Sequence, residues 1–316
     1  MKKQLILFCI FCAFYFYPHS AYSQIHKDSA MSSNNGMNHL ENGSYSIVSG
    51  NVSIAVNPEV GGRITSFTLD KYQFLVSKDD NPGSYGSTFW PSPQSNWNWP
   101  PPAVLDNKPY SVIETDDSVE LTSGKDTQTG FQFVKIITPG KDNSINLNYS
   151  MINITNADKK AAPWEVTRVH KGGLFFYPIG GTSFGKKFFR YVPTEIINGI
   201  LWYQSKKAKN DSDELTTADG SEGWFAYAIG GSVFIKKFKD IQPNTFAPGE
   251  KEISLYVNAK FDFMEIEAQG EYQNIKPQEK STWNMKWIAA KIPSNIKIEK
   301  GNMKLVEFVR NIVKQF

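Results

Sequence analysis

The chain has 316 residues, a formal net charge of +3 and 34 basic against 31 acidic side chains. That near-balance argues against nucleic acid or an anionic membrane surface as a partner, since both select concentrated positive charge. Its two cysteines, Cys9 and Cys12, lie close to the start, so everything beyond them is without a disulfide, a thiolate nucleophile or a cysteine metal site.

Lys2-Lys3, an apolar run from Leu5 to about Tyr17 and Ala21-Tyr22-Ser23 before Gln24 describe a secretory signal peptide over residues 1–23. The run is too short to span a bilayer comfortably and no later stretch approaches the required length, so no membrane insertion is expected. The mature protein is expected to be secreted or periplasmic, and loss of Lys2 and Lys3 takes its charge from +3 to +1. Residues 24 to about 43, rich in Ser and Asn, predict a disordered tail.

From residue 44 to 316 the pattern predicts a single β domain. Val52, Ile54 and Val56 alternate before Pro58, and Ile64 to Leu69 follow the Gly61-Gly62 turn. Val119 to Leu121, Phe131 to Ile137 and Ile145 to Ile154 continue the series, separated by turn residues. Leu174 to Tyr177, Trp224 to Ile229, Val233 to Phe238, Ile253 to Val257, Phe261 to Ala268 and Trp283 to Ile292 complete it. Strands so evenly spaced, without helical periods between them, predict an all-β chain, a large antiparallel sandwich or barrel. One helix is expected, at the end, where Leu305, Val306, Val309, Ile312, Val313 and Phe316 follow 3.6-residue spacing and predict packing on the outside of a sheet. The pairs Lys186-Lys187, Lys206-Lys207 and Lys236-Lys237 read as solvated faces.

Tyr85 to Pro102, YGSTFWPSPQSNWNWPPP, holds three of the eight tryptophans, Trp90, Trp97 and Trp99, and five prolines. Such proline density predicts an ordered, irregular loop, because proline cannot donate to a ladder. Its rings must cover a core or meet a ligand, and flat rings rimmed by Ser, Asn and Gln suit the faces and hydroxyls of sugars. A lid alone and a lid lining a sugar site both fit.

Beyond the signal and tail one histidine remains, His170, which excludes a histidine-rich metal site. Asp79-Asp80-Asn81 reads as a surface turn, and no nucleophile elbow, phosphate loop or zinc-protease helix occurs, so neither metal nor cofactor is expected. In FDFMEIEAQG from Phe261, Glu265 and Glu267 project to one strand face, while Asp262 falls opposite with Met264, Ile266 and Ala268. Two carboxylates pointing into a cleft would repel and supply a general base; pointing outward they would be ordinary surface groups. On the segment from Trp164, alternation places Arg168 and His170 on the face of Trp164 and Val166.

These segments, in this order, resemble the galactose mutarotase-like superfamily, which includes the aldose 1-epimerases, over about residues 45 to 292. GGRITSFTLDKYQFL is similar to the early strand pair whose arginine contacts sugar, a role the resemblance implies for Arg63. INLNYSMINITN followed by Pro-Trp-Glu-Val-Thr-Arg is similar to the strand pair that bears a catalytic histidine. MEIEAQG followed by IKPQEKSTWNMKW is similar to the late glutamate-bearing strand, which implies Glu267 as a base. With GSTFWPSPQ and WPPP, the whole looks most like a secreted branch of this superfamily, whose fold is a large antiparallel β-sandwich. Epimerases use two histidines. The Trp-rich stretch stands where the first would be, and Arg168 and Val169 stand at the second, with His170 one residue on.

The resemblance implies a carbohydrate partner, a monosaccharide or an oligosaccharide. A binding protein would hold it with Arg63, Trp90, Trp97, Trp99, Arg168 and Glu265. An aldose 1-epimerase-like enzyme would use Glu267 as base and His170 as acid.

Overall fold

The computed structural model describes residues 36–181, 190–207 and 211–316. The expected signal peptide, most of the expected tail and Lys186-Lys187 lie outside the described residues.

The chain opens with β1 (Gly36–His39), β2 (Tyr45–Ser49), β3 (Val52–Asn57), β4 (Arg63–Leu69) and β5 (Tyr72–Gln73). β6 (Ser87–Ser92) precedes a single-turn helix, α1 (Ala103–Asp106), and β7 (Ser111–Glu114), β8 (Val119–Thr122), β9 (Phe131–Pro139) and β10 (Ser144–Asn153) follow. Next come β11 (Lys159–His170), β12 (Leu174–Pro178), β13 (Glu195–Ile197), β14 (Ile200–Gln204), β15 (Glu214–Ala218), β16 (Trp224–Ile229) and β17 (Ser232–Phe238). β18 (Ile253–Val257), β19 (Phe263–Gln269), β20 (Gln273–Ile275), β21 (Lys280–Lys291) and α2 (Met303–Val313) complete it.

Two large antiparallel sheets form a sandwich, as the alternation predicts. The first runs β1-β2-β3-β4-β6-β11-β19-β18-β15, with β5 beside β4 and β20 beside β11. The second runs β13-β14-β12-β16-β17-β21-β10-β9-β8-β7. Between them lies the main core, fed by one side of each strand: Ile47, Val52, Ile54 and Phe67 from one sheet, Phe133, Leu147, Phe234 and Trp287 from the other. Burial of such side chains, each worth roughly 1.5–3 kcal/mol, is the principal force holding the sandwich closed. The outer side of the second sheet is also apolar, with Phe176, Trp202, Trp224 and Ile235, and α2 covers it with Leu305, Val306, Val309 and Val313. Asn302 caps that helix by accepting from the Lys304 N–H at 3.1 Å.

Three expectations are corrected. Residues 36–39 belong to the expected tail, yet they form β1, an edge strand on β2. Main-chain pairing with a sheet edge needs little apolar burial; Met37 packs on the core and the His39 ring stands edge-on to Tyr45 at 4.7 Å. Ser87–Ser92 is a buried strand between β4 and β11, where the prolines predict irregular loop. Pro91 stands opposite Pro163 in the β6–β11 register, so both missing donors fall at one ladder position. β4 meets β6 only at Ile64 and Ser87, so Pro91 has no second neighbour to supply. The third concerns Lys236, which is fully buried rather than solvated.

Candidate functional site

Alternation divides the strands of the first sheet into a core side and an outer side. On β19, Met264, Ile266 and Ala268 enter the core, so Glu265 and Glu267 turn to the outer side, as read from the sequence. On β11 the same rule turns Trp164, Val166 and Arg168 outward. Register then fixes neighbours: Val166 faces Glu267, Arg168 faces Glu265 and Trp164 faces Trp90 of β6. On the other flank Glu265 faces Tyr256 of β18, and Tyr256 faces Leu215 of β15.

A cavity of about 450 Å³ lies over these strands, lined among others by Trp90, Trp99, Trp164, Tyr256, Glu265 and Glu267. Glu267 is buried and its Oε2 accepts the Trp164 indole N–H at 2.8 Å. Glu265 is ion-paired with Arg168, whose Nε donates to Oε1 at 2.8 Å. Arg168 also donates through Nη1 to the Thr88 hydroxyl at 2.7 Å and stacks 5.2 Å from the Trp90 ring centroid. It thereby ties β6, β11 and β19 together beneath the cavity. Each glutamate takes a hydrogen bond from β11, Glu267 from Trp164 and Glu265 from Arg168.

Opposite the tryptophans, Asp213 accepts the Ala259 N–H at 2.7 Å, and Asn258 donates to the Tyr256 hydroxyl at 3.0 Å. Burial and a hydrogen bond to Asp213 push the Tyr256 phenol well above its ordinary pKa, keeping it a neutral hydroxyl. Asp213, Asn258 and Phe263 also line the cavity. None of these drew notice in the sequence. The alternation in ISLYV around Tyr256 is a signal that marks it as outward-facing, whereas Asp213 is brought in only by the pairing of β15 with β18.

The Trp-rich stretch divides its rings. Trp99 is 67% exposed, 5.9 Å from Trp90 and edge-on to it. Trp97 is buried behind them, donating to the Pro91 carbonyl at 2.7 Å, and packs with Trp90, Trp164 and Val166. It lines a separate cavity of about 300 Å³ instead. Trp90 donates to Asp106 Oδ1 at 2.7 Å, and Asp106 Oδ2 pairs with Arg63 Nη2 at 3.2 Å. Arg63 thus lies one carboxylate away from the cavity, buried, with its guanidinium 4.6 Å from the Tyr85 ring centroid. Burial lowers its pKa, and Asp106 opposes that shift. The Gly61-Gly62 turn before it is held from the other sheet by Lys135, which donates to both glycine carbonyls, at 2.7 and 3.0 Å. Desolvation lowers the Lys135 pKa to about 7.

His170 ends β11 on the same side as Arg168, but opposite Phe263. Four ladder positions separate it from Glu267 along the sheet, a distance of about 13 Å at ~3.3 Å per residue. Its Nε2 lies 3.4 Å from Asp80 and its Nδ1 3.9 Å from Asp262. The structure therefore does not bring His170 to Glu267. The Asp79-Asp80-Asn81 segment is a turn closed on itself, Asp80 accepting from the Ser77 N–H and hydroxyl.

On the core side of β11, directly behind the cavity, Glu165 accepts from Lys236 Nζ at 2.5 Å and from the Tyr149 hydroxyl at 2.9 Å. Lys236 also donates to the Thr167 hydroxyl at 2.5 Å, and burial lowers its pKa against the pull of Glu165. The lysine comes from β17, whose inward parity carries it between the sheets; a carboxylate waiting there makes its burial tolerable.

No protein-family profile matches the chain, and no curated protein does. Solved structures do. A candidate aldose 1-epimerase from Escherichia coli K12 matches with TM-score 0.56 at 11% identity, over 81% of this chain and 100% of that one. A galactose mutarotase-like protein from Clostridium acetobutylicum gives 0.54 at 11%, over 79% and 95%. A TPR-domain containing protein from Parabacteroides distasonis gives 0.58 at 15%, over 81% of this chain but 48% of its own. The chain has the galactose mutarotase-like fold. At these identities the likeness is one of architecture, and the residues over the mutarotase-like sheet are this chain's own.

Proposed function

We propose that this protein recognises a carbohydrate in the cavity over β6, β11, β19, β18 and β15. The observation that carries the reading is the meeting of Trp90, Trp99 and Trp164 with Glu265 and Glu267 on one lining. Indole faces stack on the C–H faces of a sugar ring, and oriented carboxylates and amides accept and donate to its hydroxyls. Structural neighbours described as mutarotase-like make a sugar-related role the natural reading of this fold. With the signal peptide expected over residues 1–23, that role would be exercised outside the cytoplasm; N-terminal sequencing of protein recovered from the periplasm or medium should begin at Gln24.

The test is proton NMR on a panel of reducing sugars and oligosaccharides, recording saturation transfer and anomeric exchange together. Saturation transfer that disappears in Trp99→Ala is expected, and silence across the panel would sink the reading. A second reading, aldose 1-epimerase-like turnover, is favoured by one feature, the Glu267 carboxylate fixed by Trp164 on the lining. It predicts accelerated anomeric exchange that Glu267→Gln abolishes. The separation of His170 from Glu267 favours binding without exchange.

A further inference from the structure

We infer that the ligand of this cavity carries a positive charge and, resting on the carbohydrate reading above, that it is an amino sugar with a free ammonium group. The lining sorts into two chemical kinds. Trp90, Trp99 and Trp164 present indoles, joined by Tyr256 and Phe263 from the neighbouring strands. Glu265, Glu267 and Asp213 present carboxylates, and among the described lining residues none is Lys or Arg. Aromatic faces and carboxylates around one space are the two groups that attract an ammonium, the first through the ring quadrupole and the second through charge-assisted hydrogen bonds.

The nearby cations do not reverse that balance. Arg168 is buried, and its Nε is committed to Glu265. Lys171 is buried with Nζ on the Asn258 carbonyl at 2.6 Å, and Asp213, Glu214 and Asp262 all act on it. Lys236 stands on the far side of the sheet, paired with Glu165. Arg190 acts on Glu214 and Arg63 is paired with Asp106, so among the described residues five cations stand with seven carboxylates on and around the lining. An acidic sugar would meet repulsion from the lining carboxylates, and a neutral one would forgo the charge-assisted hydrogen bonds they offer.

The experiment compares three hexose series of gluco, galacto and manno configuration, as monosaccharides and linked oligomers. Each series differs only at C2, carrying a free amine, an acetamide or a hydroxyl. Titration by intrinsic tryptophan fluorescence is run at mildly acidic pH, with tetramethylammonium as a sugar-free cation. The amine series should bind at least tenfold tighter than its hydroxyl counterpart. That preference should shrink with added salt and fall in both Glu267→Gln and Asp213→Asn, two variants so that a folding defect in one leaves the other informative. Equal or tighter binding of the hydroxyl or acetamide series overturns the charge inference and leaves the carbohydrate reading standing. Tetramethylammonium binding that Asp213→Asn weakens, without any sugar binding, retains the charged ligand and overturns the sugar. No binding of any probe overturns both.

Discussion

The two sides of β11 carry the same kinds of charge in opposite settings. Outward, Arg168 and Glu265 pair beside a cavity, with 4% and 16% of their side chains exposed. Inward, Glu165 and Lys236 pair between the sheets with no exposure at all. An ion pair sealed in a core cannot regain water if it is broken, so it is confined to holding the two sheets in one arrangement. A pair at a cavity can exchange a protein partner for a solvent or ligand one. The strand thus separates a fixed charge from an available one over the thickness of a backbone.

That contrast can be broken experimentally. Lys236→Met strands the Glu165 carboxylate among apolar groups and should lower unfolding free energy by about 3–5 kcal/mol in urea melts. Adding Glu165→Gln, which removes the stranded charge, should recover part of the loss. Arg168→Met leaves Glu265 beside the cavity, where water can reach it, and should cost only about 1–3 kcal/mol. A loss at Arg168 equal to that at Lys236 would erase the distinction between the two sides. The smallest stability effect belongs to Trp99→Ala. This ring is mostly exposed, so the melt should move by no more than about 0.5 kcal/mol. The affinity of any ligand stacked on it should nevertheless fall about tenfold, equivalent to ~1.4 kcal/mol. A large stability loss at Trp99 would instead make it a core residue.

Much of the fold was legible because a strand reports its orientation every second residue. Glu265 and Glu267 could be placed on one side, and Met264, Ile266 and Ala268 on the other, from the order of letters alone. The same rule joined Arg168 to Trp164 and Val166. It failed at Ser87–Ser92, because proline is excluded from a strand only where a ladder partner needs its N–H, and Pro91 faces another proline. It also failed at Lys236: a lysine at an inward position looks like a surface residue until the opposing carboxylate is known.

The sequence by itself determined the class of fold, the terminal helix and which side of each strand is apolar, since these depend on local periodicity. Only the tertiary structure decided which outward residues share a cavity. Pairing across the sheet set Glu267 opposite Val166, within reach of the Trp164 indole, drew Tyr256 and Asp213 to the same cavity as the tryptophans and left His170 about 13 Å along the ladder, at ~3.3 Å per residue. Register between strands distant in the chain is fixed by the packing of the whole core, and no short window of sequence contains it.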